Sequence, residues 1–89
     1  MMPSTDLLIT TFAVNTVKTG SVGETFYCLA SDDWYVVLDA IVDVAAETWP
    51  MIDRVDLADT VYAGLHRHHD YLRVHLTDAI ISALMLLFS

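Results

Sequence analysis

The stretch SDDWYVVLDAIVDVAAETW, Ser31 to Trp49, constrains this chain more than any other. Trp34, Val37, Leu38, Ile41, Val44 and Ala45 recur at the i, i+3, i+4 and i+7 spacings of a helix with one buried stripe. Asp39, Asp43 and Glu47 stand four apart on the opposite side, and Asp32 falls in line with them. At a rise of ~1.5 Å per residue, this is a ladder of carboxylates about 6 Å apart. Ser31 is the expected N-cap, its hydroxyl placed to accept an orphan N–H of the first turn. Asp32 and Asp33 then occupy that turn, where the positive end of the macrodipole favours carboxylates. Pro50 stops the helix, because the residue before a proline is pushed out of the α region.

Like charges at i, i+4 cost a helix roughly 0.2–0.5 kcal/mol per pair. No Lys or Arg lies between Lys18 and Arg54 to relieve the ladder locally. Two readings stand side by side: a plain solvated face, or a surface kept acidic for a basic partner.

A chain of 89 residues makes one domain, 1–89, with 1–4 as a loose lead-in. Its residues are 55% hydrophobic, more apolar material than a small monomer easily hides. A dense helical core, an interface that completes the burial, or both are the natural outcomes. Twelve acids against four Lys and Arg give a formal charge of −8. That field opposes direct DNA or RNA binding, which works by neutralising phosphates, and it speeds encounter with basic surfaces. Cys28 is the only cysteine, so no internal disulfide forms and a reducing cytoplasm is the expected setting. MMPSTDLLITTFAV has no basic residue ahead of its apolar part, unlike a signal peptide. The longest apolar stretch, Ala79 to Phe88, is broken by Ser82 and is too short to cross a bilayer.

The remaining segments read as helices joined by short turns. Ser4 or Thr5 caps a helix over Thr5 to Lys18, although its Thr, Val and Ile content keeps a strand in play. Ser21-Val22-Gly23-Glu24 has the form of a capping box ahead of a short helix, Val22 to Ala30. Asp53 or Asp56 caps the next, with Val55, Leu57, Ala58, Val61, Tyr62, Leu65 and His69 at helical spacing. Gly64 within it is suited to close packing against a neighbour. The pattern falters near His68–Asp70, and a last helix runs over 71–88. Its end, AIISALMLLF, is apolar nearly all round, which marks burial or sharing with a second chain, including a homodimer through 71–88. The fold class is all-α, a bundle of four to five short helices.

Chemistry-bearing constellations are weak. His66, His69 and Asp70 would share a helix face, and His68 and His75 lie near. Zinc takes such ligands, so metal binding is one alternative. The H-E-x-x-H signature is lacking, and Arg67 and Arg73 add opposing charge. The expectation is no metal and no cofactor, but a surface patch that titrates near neutrality. Paired carboxylates for acid–base catalysis need a cleft that a small bundle rarely has. Cys28, within FYCLA, reads as a buried inert thiol. No G-x-S-x-G turn is present. A non-enzymatic chain is expected. Tyr35 falls beside the acidic stripe, suited to anchoring an interface, and Trp49, at a helix end, reads as core or as a second such anchor.

In size, acidity and lack of a catalytic motif, the chain resembles the small phage-encoded inhibitors of the anti-CRISPR type. Those inhibitors do not share one fold, so no residue role carries over. The resemblance implies a nucleic-acid mimic that blocks a nucleic-acid-binding subunit in the host cytoplasm. The residues expected to face a basic surface are Asp32, Asp33, Asp39, Asp43, Glu47, Asp53, Asp56 and Asp59. The alternative is an oligomerising helical subunit built on the C-terminal helix.

Overall fold

A computed structural model describes residues 2–88; Met1, the first residue of the expected lead-in, and Ser89 lie outside them. The chain forms α1 (Thr5–Thr19), α2 (Val22–Ala30), α3 (Trp34–Thr48), α4 (Arg54–Leu65) and α5 (His69–Leu87). The described residues contain no strand, so the all-α expectation holds. For α1 the choice between strand and helix is settled by packing. Leu8, Phe12 and Thr16 form one buried i, i+4 row, and Ile9, Ala13 and Val17 form the adjacent one. Two buried rows make a wide face, and tertiary burial overrides the β-leaning of Thr, Val and Ile. The Ser4 hydroxyl accepts the Leu7 N–H at 3.2 Å and starts the helix. Pro3, inside the expected lead-in, is buried.

One expected cap bond, at Ser21, and one expected helix start, at Ser31, are corrected, for the same reason. At the end of α1, Gly20 takes φ 75. The Ser21 N–H then donates to Thr16 O and the Gly20 N–H to Val17 O. At the end of α2, Asp32 takes φ 55, the Asp33 N–H donates to Cys28 O and the Asp32 N–H to Leu29 O. Both are Schellman closures, in which a left-handed residue lets the chain satisfy the last carbonyls of the helix it leaves. Ser31 is therefore absorbed by the preceding helix, while Ser21 stays at the N-cap of α2, where its carbonyl accepts the Thr25 N–H at 3.1 Å. The Ser21 side chain makes no cap bond to α2, and α3 starts at Trp34 rather than at Ser31. Asp32 and Asp33 lie in the turn, outside the first helical turn. Asp32 is one of the few residue types that tolerate the left-handed region there.

The core is built around α1, which packs most extensively on α5 and then on α3, while α4 packs on α3. Leu38, Ile41, Leu57, Leu65, Leu72, Leu76 and Ile80 are among its fully buried side chains. Gly64 earns its place: a Cβ there would stand 3.2 Å from Thr5 Oγ1, so α4 approaches the start of α1 closely. α3 ends at Thr48, ahead of Pro50, as expected. The starts of α3 and α5 lack side-chain caps. They are tied to each other instead, because Trp34 and His69 stack at 4.4 Å with their planes 14° apart. The Cα radius of gyration is 12.2 Å, close to the ~12 Å expected of a folded domain this long. No helix of the described residues is long and apolar enough to cross a membrane.

Candidate functional site

The outward face of α3 carries Tyr35, Val36, Asp39, Asp43 and Glu47, all exposed. The inward face carries Trp34, Val37, Leu38, Ile41, Val42 and Ala45, all buried. The division of this helix into an apolar and an acidic side is as the sequence implies. Its isolation from cations is not. α4 runs back along α3 and lays Arg54 and Tyr62 against it. Arg54 Nη2 donates to Asp43 Oδ1, and Tyr62 Oη donates to Asp39 Oδ1. Arg73 of α5 reaches the turn before α3, where its Nη2 donates to Asp32 Oδ1 at 2.6 Å. The relief missing from the local sequence thus comes from tertiary packing. The Asp43 and Asp32 side chains are still 62% and 67% exposed, so these pairs are solvent-screened and weak.

The Asp39 contact leaves an electrostatic mark. The hydrogen bond to Asp39, then burial, then the negative charge of Asp39 and coupling to Tyr35 push the Tyr62 hydroxyl up to about 12. On α5, Tyr71 Oη donates to Asp6 Oδ1 at 2.9 Å and is raised in the same direction.

The eight expected carboxylates do not form one surface. Asp39, Asp43 and Glu47 share the α3 face, and Glu47 has no hydrogen-bond or ion-pair partner among the described residues. Asp32 and Asp33 sit in the turn ahead of it. Asp53 caps α4 by accepting the Val55 N–H at 2.8 Å, which gives it a structural task. Asp56 follows Arg54 by two residues, about 200° around the helix. Since Arg54 faces α3, Asp56 points away from the ladder; Asp59, like Asp56, is exposed. Val55, expected in the apolar row, is also exposed.

The histidine cluster is dispersed. α4 ends at Leu65 and α5 begins at His69, so His66, His69 and Asp70 do not share a helix face. Each of three histidines meets an aromatic ring instead. His66 lies 6.5 Å from Tyr35 and Tyr62, His69 stacks on Trp34, and His75 lies 4.0 Å from Tyr71. Asp70 pairs with Arg73 at 3.6 Å. No group of three His, Cys, Asp or Glu among the described residues is placed to hold a metal ion.

Beside the acidic face, a depression of about 260 Å³ opens between α1, α2 and α3, with Phe12, Cys28, Val36 and Ala40 among its lining residues and Glu24 and Asp43 also on its walls. Cys28, expected to be buried, is only partly so. Arg54, Tyr62 and Arg73 are the contributors that reading the sequence missed. An antiparallel α3–α4 hairpin through the short link at Pro50 brings Arg54 beside Asp43 and Tyr62 beside Asp39, and that pairing is the signal that would have found two of them.

No family model matches the chain, and comparisons with curated proteins and with solved structures return no match.

Proposed function

We propose that this chain is a non-enzymatic interaction protein whose α3 face binds a basic, nucleic-acid-binding surface of another protein and blocks it. This is the mode of action of nucleic-acid mimics, anti-CRISPR inhibitors among them. The observation that carries the reading is the exposed row Asp39, Asp43 and Glu47 on a rigid helix in a chain of net charge −8. Fixed negative charges a few ångströms apart offer cationic side chains what a phosphate backbone offers them. Exposed Tyr35 and Val36 lie among the carboxylates, giving the face an aromatic and an aliphatic contact of the kind that anchors interfaces. Arg54 narrows the reading. Asp43 is shared with a cation of the same chain, so Asp39 and Glu47 supply most of the unmatched charge.

The test is charge reversal at the two residues that do not bond Arg54. The Asp39→Lys, Glu47→Lys variant is expected to keep its helicity by circular dichroism. Used as bait beside the parent in a host lysate, it should lose a partner that the parent retains, that salt elutes, and that DNA or RNA displaces. A retained partner that binds both baits alike, or that ignores nucleic acid, defeats the reading.

A further inference from the structure

α5 has two apolar faces. The inner one is Leu72, Leu76, Ile80 and Ala83, all buried. The outer one is Val74, Ile81 and Met85, continued by the C-cap residue Phe88, at 55%, 46%, 69% and 76% exposure. Counted from Val74 through Asp78, the steps are four, three, four and three residues, the seam spacing of a helix that packs along another helix. At 100° per residue this seam lies opposite the buried stripe, so the bundle itself cannot cover it. It runs for about 21 Å at ~1.5 Å per residue.

Charge indicates what covers it. Two chains of net charge −8 repel, and only a neutral meeting place lets them touch. From Ala79 to Phe88 there is no charged residue, whereas the acids of α3 and α4 lie on other elements. A basic partner finds nothing to pair with here beyond Asp78. An uncharged helical stretch with the same three-and-four spacing does find a match, and α5 from Ala79 onward is such a stretch. We infer that the outer seam of α5 is a homodimer interface, in which two copies of α5 pack antiparallel with Ile81 and Met85 around the two-fold axis. A parallel pair would set Asp78 against Asp78 in the seam. The antiparallel pair separates them and sets opposed helix dipoles side by side. In this register Ile81 faces Met85 and Asp78 faces Phe88 of the other copy, so the shared stretch is 78–88, about 15 Å at ~1.5 Å per residue. That is short for a specific interface, so the dimer dissociates on dilution.

Sedimentation equilibrium from sub-micromolar to hundreds of micromolar protein tests it. The parent is expected to shift from the chain mass of 9.9 kDa to twice that value as concentration rises. Ile81→Lys and, separately, Met85→Lys should stay at the chain mass with unchanged helicity. A parent that stays monomeric overturns the inference and leaves the seam to a different protein; so does a dimer that survives both substitutions. Orientation is tested by Phe88→Cys in a Cys28→Ser background. The antiparallel pair sets position 88 near Asp78 of the other copy, about 15 Å from the other position 88 at ~1.5 Å per residue. A disulfide needs Cα atoms within about 7 Å. Oxidation should give no self-linked dimer, and a high yield of one overturns the antiparallel arrangement.

Discussion

α3 and α5 are buried to the same degree on one side and differ on the other. Leu38 and Ile41 of α3 are as completely enclosed as Leu72, Leu76 and Ile80 of α5. Behind that common inner face, α3 shows water a row of carboxylates, and α5 shows it Val74, Ile81 and Met85, with Phe88 at its C-cap. The inner faces are interchangeable in kind, because any tightly packed aliphatic surface stabilises a bundle. The outer faces are not, since nothing in the core dictates them. The apolar surplus of this composition therefore goes into the back of α5 as well as into the core. The largest group of acids on one helix, Asp39, Asp43 and Glu47, falls on α3. A small bundle with two such backs has room for two different contacts.

The inner faces of α3 and α5 are equivalent and joined at one end. Trp34, which stacks on His69 and lies under the Arg73 guanidinium at 5.2 Å, is that joint. Trp34→Ala should cost about 3–5 kcal/mol in urea unfolding, and Leu38→Ala and Leu76→Ala about 2–5 kcal/mol each. A small loss at Leu76 beside a large one at Leu38 would show that α5 is loosely held. The symmetry between the two helices would then be lost.

The turn before α3 sharpens this picture at a smaller scale. Asp32 does two things there: it adopts a left-handed φ of 55 and it pairs with Arg73. Asp32→Gly keeps the backbone geometry and removes the pair. Its cost should stay within about 1 kcal/mol, as for other exposed ion pairs, before any gain from the freer backbone. Asp32→Ala removes the pair and adds left-handed strain, roughly 1–2 kcal/mol more. Equal losses in the two variants would mean that the pair, rather than the backbone, fixes the turn between α2 and α3.

The same turn shows where the sequence stops being readable. The range Val22 to Ala30 for α2 was legible, as were the cap at Ser4, the stop at Pro50 and the inner stripe of α3, because each depends on neighbours within a few residues. Ser31 looked like a helix start since serine before two aspartates is a common one. Whether the chain first closes α2 through a left-handed residue is decided by where Cys28 and Leu29 leave their carbonyls, and an aspartate gives no glycine's warning of it. The acidic character of α3 was legible too. Its relief by Arg54, Tyr62 and Arg73 was not, because those residues come from other helices and only the packing brings them close. The histidines misled for a related reason. Helical spacing across residues 66–70 presumed a continuous helix, and the chain breaks there.

The finest distinction between the two backs lies in a phenol. Tyr62 reports on the α3 side because its hydroxyl donates to Asp39, and its pKa rises from 10.0 to about 12. Tyr71, on α5, donates to Asp6 of α1 and so reports on the packing of α5 rather than on the α3 face. A group raised in the folded state holds its proton longer there than in the unfolded chain. Its contribution is therefore complete below pH 10 and is lost as pH climbs towards about 12. Beside the raised Tyr71, phenolate absorbance should show an ionisation near 12 that Tyr62→Phe removes and that Asp39→Asn brings down towards 10, the hydrogen bond having lost its charged acceptor. The stability difference between parent and Tyr62→Phe should shrink over the same window. If Tyr62 instead ionises near 10 in the parent, Asp39 is turned to water and Tyr62 exerts no hold on it. In that outcome Asp39 joins Glu47 as unengaged charge, and Asp43 with its Arg54 partner is the one member of the α3 row tied to the rest of the fold.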